Sequence, residues 1–126
     1  MMEYTGSCHC GRVRFAVEIA DPGAAALACN CSICGRRGSL LWFVPRDALR
    51  LAMPDERAAS YAFGRAAIRH RFCPDCGIHA WGEGSDPQGR AMAAINVRCL
   101  EGVDVDSLPV EHFDGRLAEV FSVKRF

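Results

Sequence analysis

Hydrophobic positions recur with a period of two along this chain, in short runs. Val13, Phe15, Val17 and Ile19 alternate with Arg14, Ala16 and Glu18, which predicts a strand with one buried face. Leu40, Leu41, Trp42, Phe43 and Val44 form a continuous apolar run and predict a buried strand. Residues 60–63 predict another short strand. Ile68, His70 and Phe72 alternate with Arg69 and Arg71 in a strand that runs straight into Cys73. Residues 91–100 predict a long strand with Ile95, Val97 and Cys99 on one face, and residues 117–123 a strand that closes the sheet. No segment has a strong helical period; residues 45–51 and 104–108 predict single helical turns. Glycine and proline recur throughout, which suits short strands joined by turns. With no linker, repeat or low-complexity tract, residues 1–126 are expected to form one domain. The expected fold class is mainly β: short antiparallel sheets with metal knuckles in the loops.

Composition narrows the function. The chain has 126 residues, half of them hydrophobic, enough for one core. Fifteen basic and fifteen acidic side chains cancel, so the basic excess of a nucleic-acid binder is missing. The apolar runs fall well short of the roughly 20 residues that span a bilayer. The first residues lack the basic and apolar regions of a secretion signal. These features predict a cytoplasmic protein, with neither nucleic acid nor membrane as partner. Eight cysteines in a reducing compartment point to metal binding or catalysis, with disulfides as the alternative.

Seven of the eight cysteines fall into three groups: Cys8-His9-Cys10, Cys29-Asn30-Cys31-Ser32-Ile33-Cys34, and Cys73-Pro74-Asp75-Cys76-Gly77. In an extended segment, residues i and i+2 face the same side, so C-x-C offers two thiolates to one ion. C-x-x-C bends around an ion as a tight knuckle, with Gly77 free to adopt the backbone angles of such a turn. Zinc takes four ligands in a tetrahedron, and seven cysteines divide into four and three. Cys8, Cys10, Cys73 and Cys76 can form a closed, structural site. Cys29, Cys31 and Cys34 can grip one face of a second ion and leave a position for water or substrate, as catalytic zinc sites do. An all-sulfur shell is electron-rich and suits capture of a soft ligand, such as a thiol, better than activation of water.

Other assignments stay open at this stage. Cys8 and Cys10 could partner Cys29 and Cys31. The trio could be completed by Cys99 or a histidine, and iron also accepts four thiolates. Cys99 reads first as a small buried hydrophobe. Arg36 and Arg37, directly after the trio, could pair with substrate carboxylates, with a solvated loop the equal alternative. Trp42 and Phe43 could wall a pocket, with core packing the alternative. His9 points away from its flanking ligands, His70 reads as a core or surface histidine, and His79 and His112 are candidates for acid–base work.

These motifs resemble the glutathione-dependent formaldehyde-activating enzyme family, which includes the centromere protein V domain. The resemblance rests on Gly6-Ser7-Cys8-His9-Cys10-Gly11 and the two later cysteine groups, with support from Asn96-Val97-Arg98-Cys99-Leu100 and His112-Phe113-Asp114-Gly115-Arg116. It implies an Mss4-like, mainly β fold. It implies two zinc ions, one structural on Cys8, Cys10, Cys73 and Cys76, and one catalytic on Cys29, Cys31 and Cys34; an exposed three-ligand site can also lose its ion. The implied activity is a carbon–sulfur lyase or synthase reaction that interconverts glutathione plus formaldehyde with S-hydroxymethylglutathione. Glutathione is then the expected small-molecule partner, and a homo-oligomer is left open. The non-catalytic alternative is a zinc-dependent thiol carrier. The middle motif reads Cys-Asn-Cys where relatives commonly have Cys-His-Cys.

Overall fold

A computed structural model describes residues 1–64 and 66–116. Strands dominate them: β1 (Met2–Ser7), β2 (Arg14–Ile19), β3 (Ala26–Cys29), β4 (Leu41–Pro45), β5 (Leu49–Leu51), β6 (Ala59–Tyr61), β7 (Arg69–Phe72), β8 (His79–Ser85), β9 (Ala91–Asn96) and β10 (Val110–Phe113). One helical turn, α1 (Cys34–Arg37), follows β3. The mainly β expectation holds. The strands form a small sheet in the order β1-β2-β5 and a large one in the order β10-β3-β4-β9-β8-β7-β6. Neighbours are antiparallel except at one edge, where β10 runs parallel to β3. Among the described residues no helix is long and apolar enough to cross a membrane.

The period-two pattern of β2 is realised as written. Phe15, Val17 and Ile19 are buried, and Arg14 and Glu18 are exposed. Phe15 pairs with Leu51 and Val17 with Leu49 on β5. This face meets one face of the large sheet, with the Phe15 ring edge-on to Trp81 at 6.1 Å between centroids. The same core holds Trp42, Val44, Ala93, Ile95 and Val97.

Directly opposed residues on neighbouring strands share a face. Trp42, Ile95 and Trp81 therefore form one row on the core side of the large sheet. Phe43, Ala94, Gly82 and His70 form the adjacent row on the other side. Two small residues between two large ones leave a depression in that outer face.

One strand is shorter than expected. The strand expected over 91–100 stops at Asn96, whose side-chain oxygen accepts the Arg98 N–H at 3.2 Å and caps a 3-10 turn over Val97–Cys99. Its amide donates to the His79 carbonyl at 2.8 Å. The single helical turns expected in residues 45–51 and 104–108 are present as 3-10 turns, Arg46–Ala48 before β5 and Val105–Ser107. The strand expected over 117–123 lies outside the described residues.

Arg71, which alternation placed among solvent-facing positions, is 2 % exposed. Its guanidinium lies 5.0 Å from the Trp81 ring centre. It donates to Asp55 at 3.0 Å, to Glu83 at 3.1 Å, and to the carbonyls of Asp55 and Ala58. Glu83 also takes Arg46 at 2.6 Å and Arg69 at 3.2 Å. Burial pushes the Glu83 carboxyl up, but the Arg46 and Arg71 guanidiniums outweigh it and leave it below its usual value; Asp55 is lowered by its bond to Arg71. A lowered carboxylate contributes stability that is full above its unfolded value and lost as pH falls through the folded one. Arg71→Ala removes one of three guanidiniums on Glu83 and the buried donor to the Asp55 and Ala58 carbonyls, and should cost about 1–3 kcal/mol, read as the shift in urea midpoint at pH 7. The wild type should lose stability as pH falls below about 4.5. That acid limb should be shallower in the variant, because Arg71 no longer holds the carboxylates down.

Candidate metal centres and the cavity beside them

Two cysteine clusters bring sulfur atoms to within 4.8 Å of one another. The first combines Cys8 and Cys10, from the β1–β2 connection, with Cys73 and Cys76, from the β7–β8 connection. Cys8 and Cys10 Sγ lie 3.7 Å apart, and Cys10 and Cys73 Sγ 3.6 Å apart. A tetrahedron with metal–sulfur bonds of about 2.3 Å has edges of about 3.8 Å, so this spacing fits a four-thiolate zinc site. The Val13 N–H points at Cys8 Sγ at 3.3 Å, and the Asp75 and Cys76 N–H groups at Cys73 Sγ, each at 3.4 Å. Such donors favour the charged thiolate. The backbone N–H groups of Ile78 and Cys10 hold Cys76 down to about 6. Cys8 and Cys73 are buried, and His9 is exposed and in neither cluster.

The second cluster is the trio. Cys29 ends β3, Cys31 sits in the turn after it, and Cys34 opens α1. The sequence C-x-x-C-G occurs at 31–35 and again at 73–77, and it folds the same way twice. The Cys34 N–H donates to Cys31 Sγ at 3.4 Å, and the Cys76 N–H to Cys73 Sγ at the same distance. The Gly35 N–H donates to the Cys31 carbonyl at 2.8 Å, and the Gly77 N–H to the Cys73 carbonyl at 2.8 Å. The paths then part. Gly77 has φ of 79° and turns the chain toward β8, whereas Gly35 continues into α1, which ends at Gly38 with φ of 71°.

Burial and the neighbouring Cys31 push the Cys34 thiol up to about 12. Three thiols this close ionise together only beside a cation. Among the described residues no fourth histidine, cysteine or carboxylate joins them. Cys99 is buried elsewhere, its thiol 3.5 Å from the His79 carbonyl.

The segment after β10 is clamped against the trio by Asn30, the residue between two of the sulfurs. The Asn30 amide donates to Asp114 at 3.1 Å, its oxygen accepts the Arg116 N–H at 3.0 Å, and its carbonyl accepts Arg116 Nε at 3.0 Å. A Cβ at Gly115 would lie 2.5 Å from Cys29 Sγ and 2.8 Å from Cys31 Cβ. Only a glycine lets the backbone approach the sulfurs this closely. Sequence reasoning gave neither Asn30 nor Gly115 a role; the signal was the pair of motif segments around them.

A cavity of about 250 Å³ includes the trio in its lining, with Phe43, Ala94, Gly82 and His70 also around it. Arg37 reaches from α1 across its wall. One guanidinium nitrogen lies 3.5 Å from Cys34 Sγ and another 3.1 Å from His70 Nδ1. Guanidinium has only donors, so His70 Nδ1 accepts and its proton sits on Nε2. Burial, then the Arg37 charge, lower His70 to about 4. Burial, Arg37 and His70 lower His79 to about 3. Both are therefore neutral at pH 7. Ser39 Oγ lies 3.3 Å from His79 Nδ1, while the buried His79 Nε2 has no hydrogen-bond partner among the described residues.

The other expected residues are spread out. Arg36 is exposed and donates to the Ser32 carbonyl at 2.7 Å. Trp42 lies in the core with Nε1 on the Ala24 carbonyl at 3.0 Å, and Phe43 beside it takes the cavity position. His112 lies exposed on β10. His70 and His79, far apart in sequence from the trio, converge on it through β7 and β8.

Comparison with known proteins agrees with this geometry. A Penicillium rubens protein named "Putative glutathione-dependent formaldehyde-activating enzyme" is 34% identical over 79 residues, covering 60% of this chain and 41% of that protein. A Phaeosphaeria nodorum protein of the same name is 33% identical over the same length and shares. The matches thus span less than half the length of these relatives. The crystal structure of a Rhodobacter sphaeroides protein superposes with a TM-score of 0.72 at 34% identity, covering 85% of this chain and 99% of that one. Residues 3–113 match the glutathione-dependent formaldehyde-activating enzyme family along most of the sequence, and the chain belongs to that family.

Proposed function

We propose that this protein is a zinc-dependent carbon–sulfur lyase or synthase acting on a glutathione-type thiol adduct, such as S-hydroxymethylglutathione. The observation that carries the reading is the unequal pair of clusters: four sulfurs in one, and three in the other, beside a cavity. Zinc held by Cys29, Cys31 and Cys34 would supply a fourth position for a substrate sulfur and lower that thiol's pKa. Cys8, Cys10, Cys73 and Cys76 would hold the structural ion.

In the forward direction the thiol sulfur bonds to the aldehyde carbon. The carbonyl π pair becomes an oxygen lone pair, and that oxygen takes the proton the thiol released. The reverse breaks the carbon–sulfur bond and returns both reactants, with no oxidant or reductant. Arg37, beside Cys34, offsets the excess negative charge of three thiolates around a divalent ion. By engaging His70 Nδ1 it also fixes the ring as a neutral Nε2–H donor beside the cavity. Hemithioacetals form readily without a catalyst, so the protein must chiefly hold the two reactants together.

Three outcomes test the reading. Adding glutathione to the two-zinc protein should raise the average sulfur count per zinc in X-ray absorption from about 3.5 to about 4; an unchanged shell at saturating thiol contradicts an open site. Exchange NMR should show glutathione, formaldehyde and their adduct interconverting at least ten-fold faster than without protein; binding without acceleration would make the protein a thiol carrier. Gly115→Ala intrudes on Cys29 and Cys31 but not on the closed cluster. It should lower bound zinc from two ions to about one by elemental analysis, with the far-ultraviolet circular dichroism spectrum retained.

A further inference from the structure

The cavity is apolar to a degree that a one-carbon reactant does not explain. Its walls carry Ile33, Leu41, Phe43, Phe63, Ile68 and Phe113. Phe43, Ile68 and Phe113 are 55 %, 50 % and 50 % exposed, although each sits beside a concave surface that could cover it. The floor is deepened by Gly82 and Ala94, where larger side chains would close it. The volume is about 250 Å³. Formaldehyde, with two heavy atoms, compares with one or two waters, whose share of liquid volume is about 30 Å³ each.

The polar groups are few and gathered around the sulfurs. Arg37 is the one charged side chain lining the cavity among the described residues, and its guanidinium is committed to Cys34 and His70. Arg36 turns back onto the Ser32 carbonyl. The charged tripeptide portion of a glutathione adduct therefore does not lie against these walls. What they match is an uncharged group attached to the sulfur.

We infer that the carbonyl reactant carries an apolar substituent, an alkyl chain or aromatic ring of about four to eight carbons, which lies against Phe43, Phe63, Ile68 and Phe113. The inference rests on the thiol-adduct reading above and names the substrate class for that site. The adduct is then the hemithioacetal of a medium-chain or aromatic aldehyde, formed by the same addition of S–H across C=O.

Stable thioethers test the wall without turnover. Zinc-loaded protein is titrated by calorimetry with S-methylglutathione and S-hexylglutathione. Each methylene removed from water is worth roughly four-fold in affinity, so burial of even two or three of the five extra ones gives at least a ten-fold preference for the hexyl compound. Phe43→Ser and Ile68→Ser, both at half-exposed positions that fold tolerates, should each cut that preference several-fold. Affinities equal within two-fold overturn the inference, as does a preference that survives both substitutions. Equal affinities with a concentration-dependent dimer in sedimentation would assign the wall to a second copy of this chain and also overturn it. A retained hexyl preference in protein that does not accelerate exchange removes the enzymatic reading and leaves the apolar site standing. Accelerated formaldehyde exchange without a hexyl preference does the reverse.

Discussion

Four sulfurs from distant parts of the chain meet within 4.8 Å of one another, and the architecture depends on what allows that. Cys8 and Cys10 leave the small sheet, and Cys73 and Cys76 join β7 to β8 of the large one. Ionised thiols so close repel, and backbone N–H donors offset only part of the repulsion. A divalent ion held there would convert it into a clamp between the two sheets. The buried positions of Cys8 and Cys73 in the same core as Phe15 and Trp81 make clamp and core one unit. A 126-residue β protein has a modest core, and metal bound there would add to its folding free energy directly.

The two C-x-x-C-G turns show how one local conformation can serve two purposes. At 73–77 the knuckle finds two more sulfurs on the β1–β2 connection and is closed. At 31–35 it meets, among the described residues, only Cys29, and all three sulfur-bearing residues line the cavity. The difference lies in neighbours contributed by distant strands, because the turns have matching hydrogen bonds. Around the three-sulfur cluster the sheet supplies apolar side chains together with His70 and His79. Arg37 is the charge that joins them.

The sulfur chemistry was legible in the sequence because spacing within each motif is local: C-x-C and C-x-x-C bring their own geometry. So was β2, whose alternation survives intact. The rest depended on register. Trp42 and Phe43 are adjacent and equally apolar, and only the pairing of β4 with β9 decides which faces the core. β8 was hidden because Gly82, Glu83 and Gly84 are poor strand formers. Its glycines leave room on the outer face, and its glutamate collects Arg46, Arg69 and Arg71. Arg71 reads as surface in any alternation pattern, yet its charge is buried because Asp55 and Glu83 meet it from other segments. The strand expected over 91–100 ended early because an Asn96 side chain caps its own turn, a contact that apolar periodicity does not encode.

The parallel pairing of β10 with β3 has a consequence in time. Asn30 meets Asp114 and Arg116 across 84 and 86 intervening steps of chain, while the closed cluster needs nothing beyond Cys76. During synthesis from the N-terminus, the closed cluster can therefore assemble while the trio still lacks its cover. Three thiols stay accessible until nearly the last described residues emerge. Long-range pairing is slow to form, so this interval is when the reactive end of the molecule is most open to oxidation or to capture of the wrong ion.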